Sequence, residues 1–394
     1  MRRFTPIHKL FEDPVENSPM QKWLIVIFIL SITIAAVYLV VPKAFTEGGD
    51  PYYLVMVQGS PNDVPAQWAY RIMVPALVKV LPFSPKIGFF IVTYGATLLL
   101  LLAMFQLLTE LKISYWSSIV TVQLLCFSFS IAHYLSVWGM VDPLANFFIV
   151  YALIYIIRKE YAFASCIISL GCLAKETTLF LLPLLFWNIL KDKKGHNQLS
   201  TVQTIFIFIV PLSIWFLLRM AVIPTWDIQN IGFFREAWRD IWMHNTKDYG
   251  LLLRIAREVT RTYGFLWISA FLGFRFQRER KLESLYFVIV GIALCLVARS
   301  WTRMISWGFV GIFIPSAIFI DKVRQLKSPP YILASLVILA LLQCWLSQIG
   351  YERLPQFEQG LLVAGILSVF CIGAMICVFA YRKIVNMDAV EDAR

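Results

Sequence analysis

The sequence predicts an all-α polytopic membrane protein, and three observations carry that prediction. Of 394 residues, 59% are hydrophobic and only 15% charged, with a mean hydropathy of +0.71. One soluble interior cannot bury so much apolar surface. Apolar runs close to the length of a bilayer crossing recur from residue 23 to residue 381, and lysine and arginine gather in alternate short connections between them.

Taken in order, the runs are 23–42, 86–109, 114–132, 141–157, 161–174, 177–190, 201–222, 263–274, 284–298, 304–320, 331–347 and 360–381. At roughly 20 apolar residues per upright crossing, with shorter broken or tilted helices admitted, this gives about twelve spans. The runs 161–174, 177–190 and 263–274 are each too short to cross upright. Residues 1–22 form a polar N-terminal segment. The run that follows ends in VVPKAF, without a small-residue cleavage site, and reads as an uncleaved first span. The seven cysteines all lie in apolar runs with no CxxC pattern, which argues against a disulfide framework or a zinc site.

Orientation follows from the short basic loops. Arg158 with Lys159, the KDKK run at 191–194, Arg275 to Lys281, Lys322 to Lys327 and Arg382 with Lys383 share one face with the N-terminal MRRF. That face is cytoplasmic and holds both termini. The long segments 43–85 and 223–262 are then external. In the second, Phe234, Trp238, Ile241 and Trp242 recur at helical spacing, as do Leu251, Leu252, Ile255 and Val259. Both stretches predict amphipathic helices lying in the outer interface.

Charges inside or beside spans are expensive, about 2.5–3.5 kcal/mol each on the translocon scale, and mark candidate functional positions. Lys175 and Glu176 interrupt the apolar stretch GCLAKETTLFLLP; Arg219 ends the seventh span; Arg299 and Arg303 bracket Trp301; His133 and Asp142 flank HYLSVWGMVDPLAN. In 43–82, Asp50 sits in a Gly-Gly-Asp-Pro turn, followed by Tyr52, Tyr53, Asp63 and Arg71. Each has a plainer reading: Lys175 pairing with Glu176, Arg219 reaching lipid phosphates, Asp142 capping the helix before Pro143. Yet a topology fixed by other loops puts all of them on the outer face. Carboxylates beside several cations suit an anionic, lipid-linked substrate.

The ordered set EGGDPYYL, WAYRIMVP, VWGMVDPL and LAKETTLFLLP, with the outer arginines, resembles the GT-C superfamily of integral membrane glycosyltransferases over roughly residues 20–310. The resemblance implies a GT-C-like bundle at 23–320, variable C-terminal helices at 321–381 and a cytoplasmic tail at 382–394. It further implies inverting sugar transfer from a polyprenyl-phosphate or polyprenyl-diphosphate donor to a glycolipid, glycan or protein acceptor. Asp50 matches the general base, with Glu47 in reserve. Arg71, Lys175, Arg219, Arg299 and Arg303 are candidates for the donor phosphate, and Tyr52, Tyr53, Asp63, His133, Asp142 and Glu176 for other substrate contacts. The first external segment lacks the DxD of the metal-dependent members, so no divalent cation or other cofactor is implied.

GxSxG, HExxH, Walker A and GxGxxG patterns are missing from the sequence, and the cytoplasmic loops leave no room for a nucleotide-binding domain. The net charge of +11 is met by the membrane and calls for no nucleic-acid partner. Two other readings stay open: a lipid-linked glycan polymerase, ligase or flippase, and a secondary transporter, which needs paired broken helices at mid-membrane. The external segments carry no N-x-S/T acceptor, favouring a bacterial inner membrane.

The topology is testable directly. Ser60→Cys and Asn230→Cys should each react with an impermeant thiol reagent added from outside intact cells. Labelling that requires the membrane to be opened would reverse the orientation.

Overall fold

The structure, a computed structural model, describes residues 18–40, 51–137, 139–192, 200–222, 258–295, 301–326, 329–348 and 356–392. These residues are helical throughout apart from turns, with no strand among them. Among the described residues five helices are long and apolar enough to cross a membrane: Pro19–Leu39, Pro85–Glu110, Thr201–Ala221, Pro330–Ser347 and Leu361–Met387. The chain is therefore that of a membrane protein. Asp142–Ile157, Tyr161–Ala174 and Leu266–Phe276 are apolar but shorter, and twelve full crossings are not present among the described residues. The amphipathic helix expected around 234–242, and most of the one expected at 251–264, lie outside the described residues; 258–263 are helical.

Two compact units share the chain, one of residues 43–107 and 133–242, the other of 1–42, 108–132 and 243–394. In chain order the helices are α1 (Pro19–Val40), α2 (Pro51–Gln58), α3 (Ala66–Ala69), α4 (Met73–Val80), α5 (Pro85–Glu110), α6 (Tyr115–Cys126), α7 (Phe129–Ser136), α8 (Asp142–Ile157), α9 (Tyr161–Ala174), α10 (Leu181–Asp192) and α11 (Thr201–Ala221). They continue as α12 (Leu266–Phe276), α13 (Lys281–Cys295), α14 (Trp301–Ser306), α15 (Phe309–Arg324), α16 (Pro329–Gln348) and α17 (Gln356–Asp392).

Three differences from the sequence reading stand out. Within 51–80 the segment expected to be external holds regular structure: α2, a 3₁₀ turn at Pro61–Asp63, α3 and α4 build a small helical layer. Its apolar residues explain this, for Tyr53, Met56 and Val57 of α2 and Val74, Pro75 and Val78 of α4 are buried, and α2 packs on α4. The expected span 114–132 breaks at Phe127–Ser128, where α6 and α7 meet at 55°. Ser128 N–H bonds the Leu125 carbonyl at 2.9 Å, a three-residue step that tightens the helix and turns it. The last run continues far past 381, α17 reaching Asp392.

The second-named unit is centred on α15, which packs against α6, α12, α13, α16 and α17. Phe313, Phe319, Val310 and Ile320 of α15 are buried. The closest approach is to α12: Ser269 and Ser316 hydroxyls lie 2.7 Å apart, and Gly273 sits directly on the Pro315 carbonyl. Small residues let apolar helices approach closely, which substitutes for a hydrophobic driving force in lipid. In the other unit α9 is central, flanked by α8 and α11, with the 3₁₀ turn Glu176–Phe180 folded back between α8, α9 and α10. Much of α11 is exposed, including Phe216, Leu217 and Met220, as expected of a helix against lipid.

A β-carbon at position 273 would stand 1.9 Å from the Pro315 oxygen, whereas one at position 95 meets nothing within 4 Å. Gly273→Ala should therefore lower the thermal unfolding midpoint in detergent, by the equivalent of about 1–3 kcal/mol. Gly95→Ala should leave it unchanged or raise it slightly.

Candidate functional site

Five of the charged residues singled out in the sequence, Arg71, Asp142, Lys175, Glu176 and Arg219, lie in the unit formed by 43–107 and 133–242, at or beside the ends of its helices. Their placement starts from one residue. α9 ends at Ala174, and Lys175 adopts an extended backbone (φ −166, ψ 135) before the 3₁₀ turn begins. An extended residue sends successive side chains to opposite sides, so Lys175 and Glu176, adjacent in sequence, do not pair with each other. They reach different partners.

Lys175 Nζ donates to Asp142 Oδ1 at 2.5 Å, with the two side chains only 4% and 2% exposed. Asp142 is the first residue of α8, Val141 holds the N-cap position and Pro143 follows within the first turn. The aspartate thus lies where the helix dipole favours an anion, and its carboxylate also takes the lysine. Gly171, one turn before Lys175, makes this approach possible: a β-carbon there would meet Thr178 Cγ2 at 2.7 Å and Phe148 Cβ of α8 at 3.0 Å. Deeper in α8, Asn146 donates to the Tyr134 hydroxyl at 3.0 Å.

Glu176 faces the other way, toward the helical layer of 51–80. Arg71 clasps it in a two-toothed pair, Nη2 to Oε1 at 2.8 Å and Nε to Oε2 at 3.3 Å, while Nη1 donates to the Tyr53 hydroxyl at 3.4 Å. This pair is more open than the first, with 16% and 34% of its side chains exposed. Burial by itself pushes the Glu176 carboxyl upward, but the Arg71 charge and its hydrogen bonds outweigh that and hold it at about 2. It is an anion at every physiological pH.

Arg219, in the last turn of α11, is held by aromatic faces. Its guanidinium carbon lies 4.4 Å from the Tyr70 ring centroid and 4.1 Å from that of Trp215, and Nη1 is enclosed without a hydrogen-bond partner. Two ring faces offset part of that loss. The stack fastens the C-terminal end of α11 to the turn carrying Tyr70 and Arg71. Neither aromatic was among the candidate residues, although Trp215 stands four positions before Arg219, one helical turn below it on the same face.

The remaining candidates divide. Asp63 is exposed and accepts the Ser60 N–H at 2.9 Å, closing a capping box on the 3₁₀ turn. Tyr52 packs against Trp68 with the rings tilted by 40° and their centroids 4.4 Å apart. His133 is half-buried on α7, where its carbonyl accepts the Ser136 hydroxyl. Asp50, Glu47 and Arg299 lie outside the described residues, and Arg303 belongs to α14 in the other unit. Among the described residues no group of three or more His, Cys, Asp or Glu is arranged to hold a metal ion.

Comparison with models of protein families, with curated proteins and with solved structures gives no match. The class defined by fold and site is thus an all-helical membrane protein with a paired-charge cluster at its helix ends.

The closed pair makes a stability prediction. Asp142→Asn strands a buried lysine and should destabilise the protein by about 3–5 kcal/mol, read as thermal unfolding in detergent. Replacing both residues with apolar ones, Asp142→Leu with Lys175→Met, should recover most of the loss. A single variant as stable as wild type would show that the pair is not closed in the membrane.

Proposed function

We propose that the chain is an integral membrane glycosyltransferase that moves a sugar, with inversion, from a polyprenyl-phosphate or polyprenyl-diphosphate donor to a glycolipid, glycan or protein acceptor at the outer face of a bacterial inner membrane. The observation that supports this best is the gathering of Arg71, Glu176, Tyr53, Lys175, Asp142 and Arg219 in one unit at the ends of apolar helices. Charges kept so close to lipid are retained for a reason, and this set joins two phosphate-compatible arginines to carboxylates and a phenol. The motif order of residues 20–310 adds the resemblance to GT-C enzymes.

On this reading each residue type has a chemical task. Asp50, immediately before α2 in sequence, takes the proton of the acceptor hydroxyl as that oxygen attacks the anomeric carbon. The bond from that carbon to the lipid phosphate oxygen breaks, and the phosphate leaves with the electron pair. Arg71 and Arg219 answer the charge that develops on it, the preorganised stabilisation on which such transfers depend. Arg299 and Arg303 remain candidates for the same role. The Lys175–Asp142 pair, too enclosed to meet a lipid phosphate directly, holds the 3₁₀ turn and hence Glu176 in position.

Asp50→Asn keeps the size of the side chain and removes its basicity, so transfer by membranes carrying the variant should fall by a factor of about a hundred to ten thousand. Donor binding should survive. Activity lost in Glu47→Gln instead would move the base three residues upstream. Full activity in both, with no glycolipid accumulating when the protein is removed, would discard sugar transfer and favour the transporter reading.

A further inference from the structure

Of the two ion pairs in the site, only one has the form of a lock. The Lys175–Asp142 contact is short and enclosed, whereas Arg71 and Glu176 meet through the parallel two-bond fork that a guanidinium offers equally to a phosphate. The fork is partly open, with Glu176 one-third exposed. Arg71 also has an anchor that does not depend on Glu176, its Nη1 contact to the buried Tyr53. An incoming anion can thus replace the carboxylate without the arginine losing its place.

We propose, resting on the glycosyltransferase reading, that Glu176 is a built-in placeholder for the substrate phosphate: in the empty site its carboxylate fills the Arg71 fork, and a lipid-linked phosphate ester displaces it. The displaced carboxylate, acceptor on both oxygens, is then free to take hydrogen bonds from sugar hydroxyls. The exchange keeps the Arg71 charge satisfied in both states, so the site never presents an uncompensated cation to the lipid. It also sets specificity, because a neutral lipid cannot displace an anion from a guanidinium. Lys175 attracts Glu176 at a distance, but its short contact is with Asp142, so it does not compete for the fork.

The sign of one substitution separates this role from a structural one. With the full-length protein in detergent micelles and farnesyl phosphate as the probe, Glu176→Gln should bind about two- to fivefold more tightly than wild type, the range set by the usual worth of a part-exposed ion pair. Glu176→Asp keeps the charge but shortens the reach, and should fall between the two. Arg71→Lys should weaken binding and remove the gain from Glu176→Gln. A Glu176→Gln protein that unfolds like wild type yet binds the probe equally or more weakly overturns the placeholder while leaving a lipid-phosphate site standing. Wild type binding farnesyl phosphate no better than farnesol overturns the glycosyltransferase reading beneath it. Inorganic phosphate gaining affinity by the same factor, at equal or lower Kd, assigns the fork to a free anion and overturns the lipid-linked source.

Discussion

A charge surrounded by apolar atoms must be paired, and much of the geometry of the described site follows from that constraint. Removing a carboxylate or an ammonium from water costs several kcal/mol per ion even after relaxation. Lys175 and Asp142 meet that cost jointly, at 2.5 Å. The pair ties the end of α9 to the start of α8, and the 3₁₀ turn that follows Lys175 packs on both helices. Glu176 is aimed at Arg71 because Lys175 is already committed elsewhere. The deep contact is therefore structural, and it makes the shallower contact chemical.

The two levels of enclosure divide the labour. A pair with 4% and 2% exposure cannot exchange partners without opening the helix packing around it, while one with 16% and 34% exposure can. Arg219 stands between these cases, charged and held by two aromatic faces in place of a carboxylate. Three cations in one unit are thus stabilised in three ways: by an enclosed carboxylate, by an open one, and by π-electron density.

Much of this organisation was readable in the sequence, and the part that was not has identifiable causes. Apolar runs mark the helices because the bilayer demands length, and the interruption at Lys175–Glu176 is conspicuous because charge is costly there. Arg219 at the end of its span was equally plain. Partner choice was not: whether Lys175 pairs with its neighbour or with Asp142 depends on the extended backbone at one residue, which no periodicity announces. The helices of 51–80 were hidden for another reason. α2 and α4 are eight residues each and α3 is four, too short for a repeating pattern to register, and their burial depends on tertiary contact. The break at Phe127–Ser128 lies inside an apolar run, where composition carries no sign of a bend.

The order of the paired residues along the chain has a consequence for how the protein is made. In both pairs the upstream member, Arg71 or Asp142, leaves the ribosome well before its partner, and the two late partners, Lys175 and Glu176, arrive together at one break. Until that break is synthesised, Asp142 has no lysine and Arg71 no glutamate. The apolar segments of α8 and α9, 16 and 14 residues long, are too short to be held firmly by hydrophobicity alone. Both contacts can close only once residues 175 and 176 have been made, so the two pairs that fasten α8, α9 and the 51–80 layer become available together.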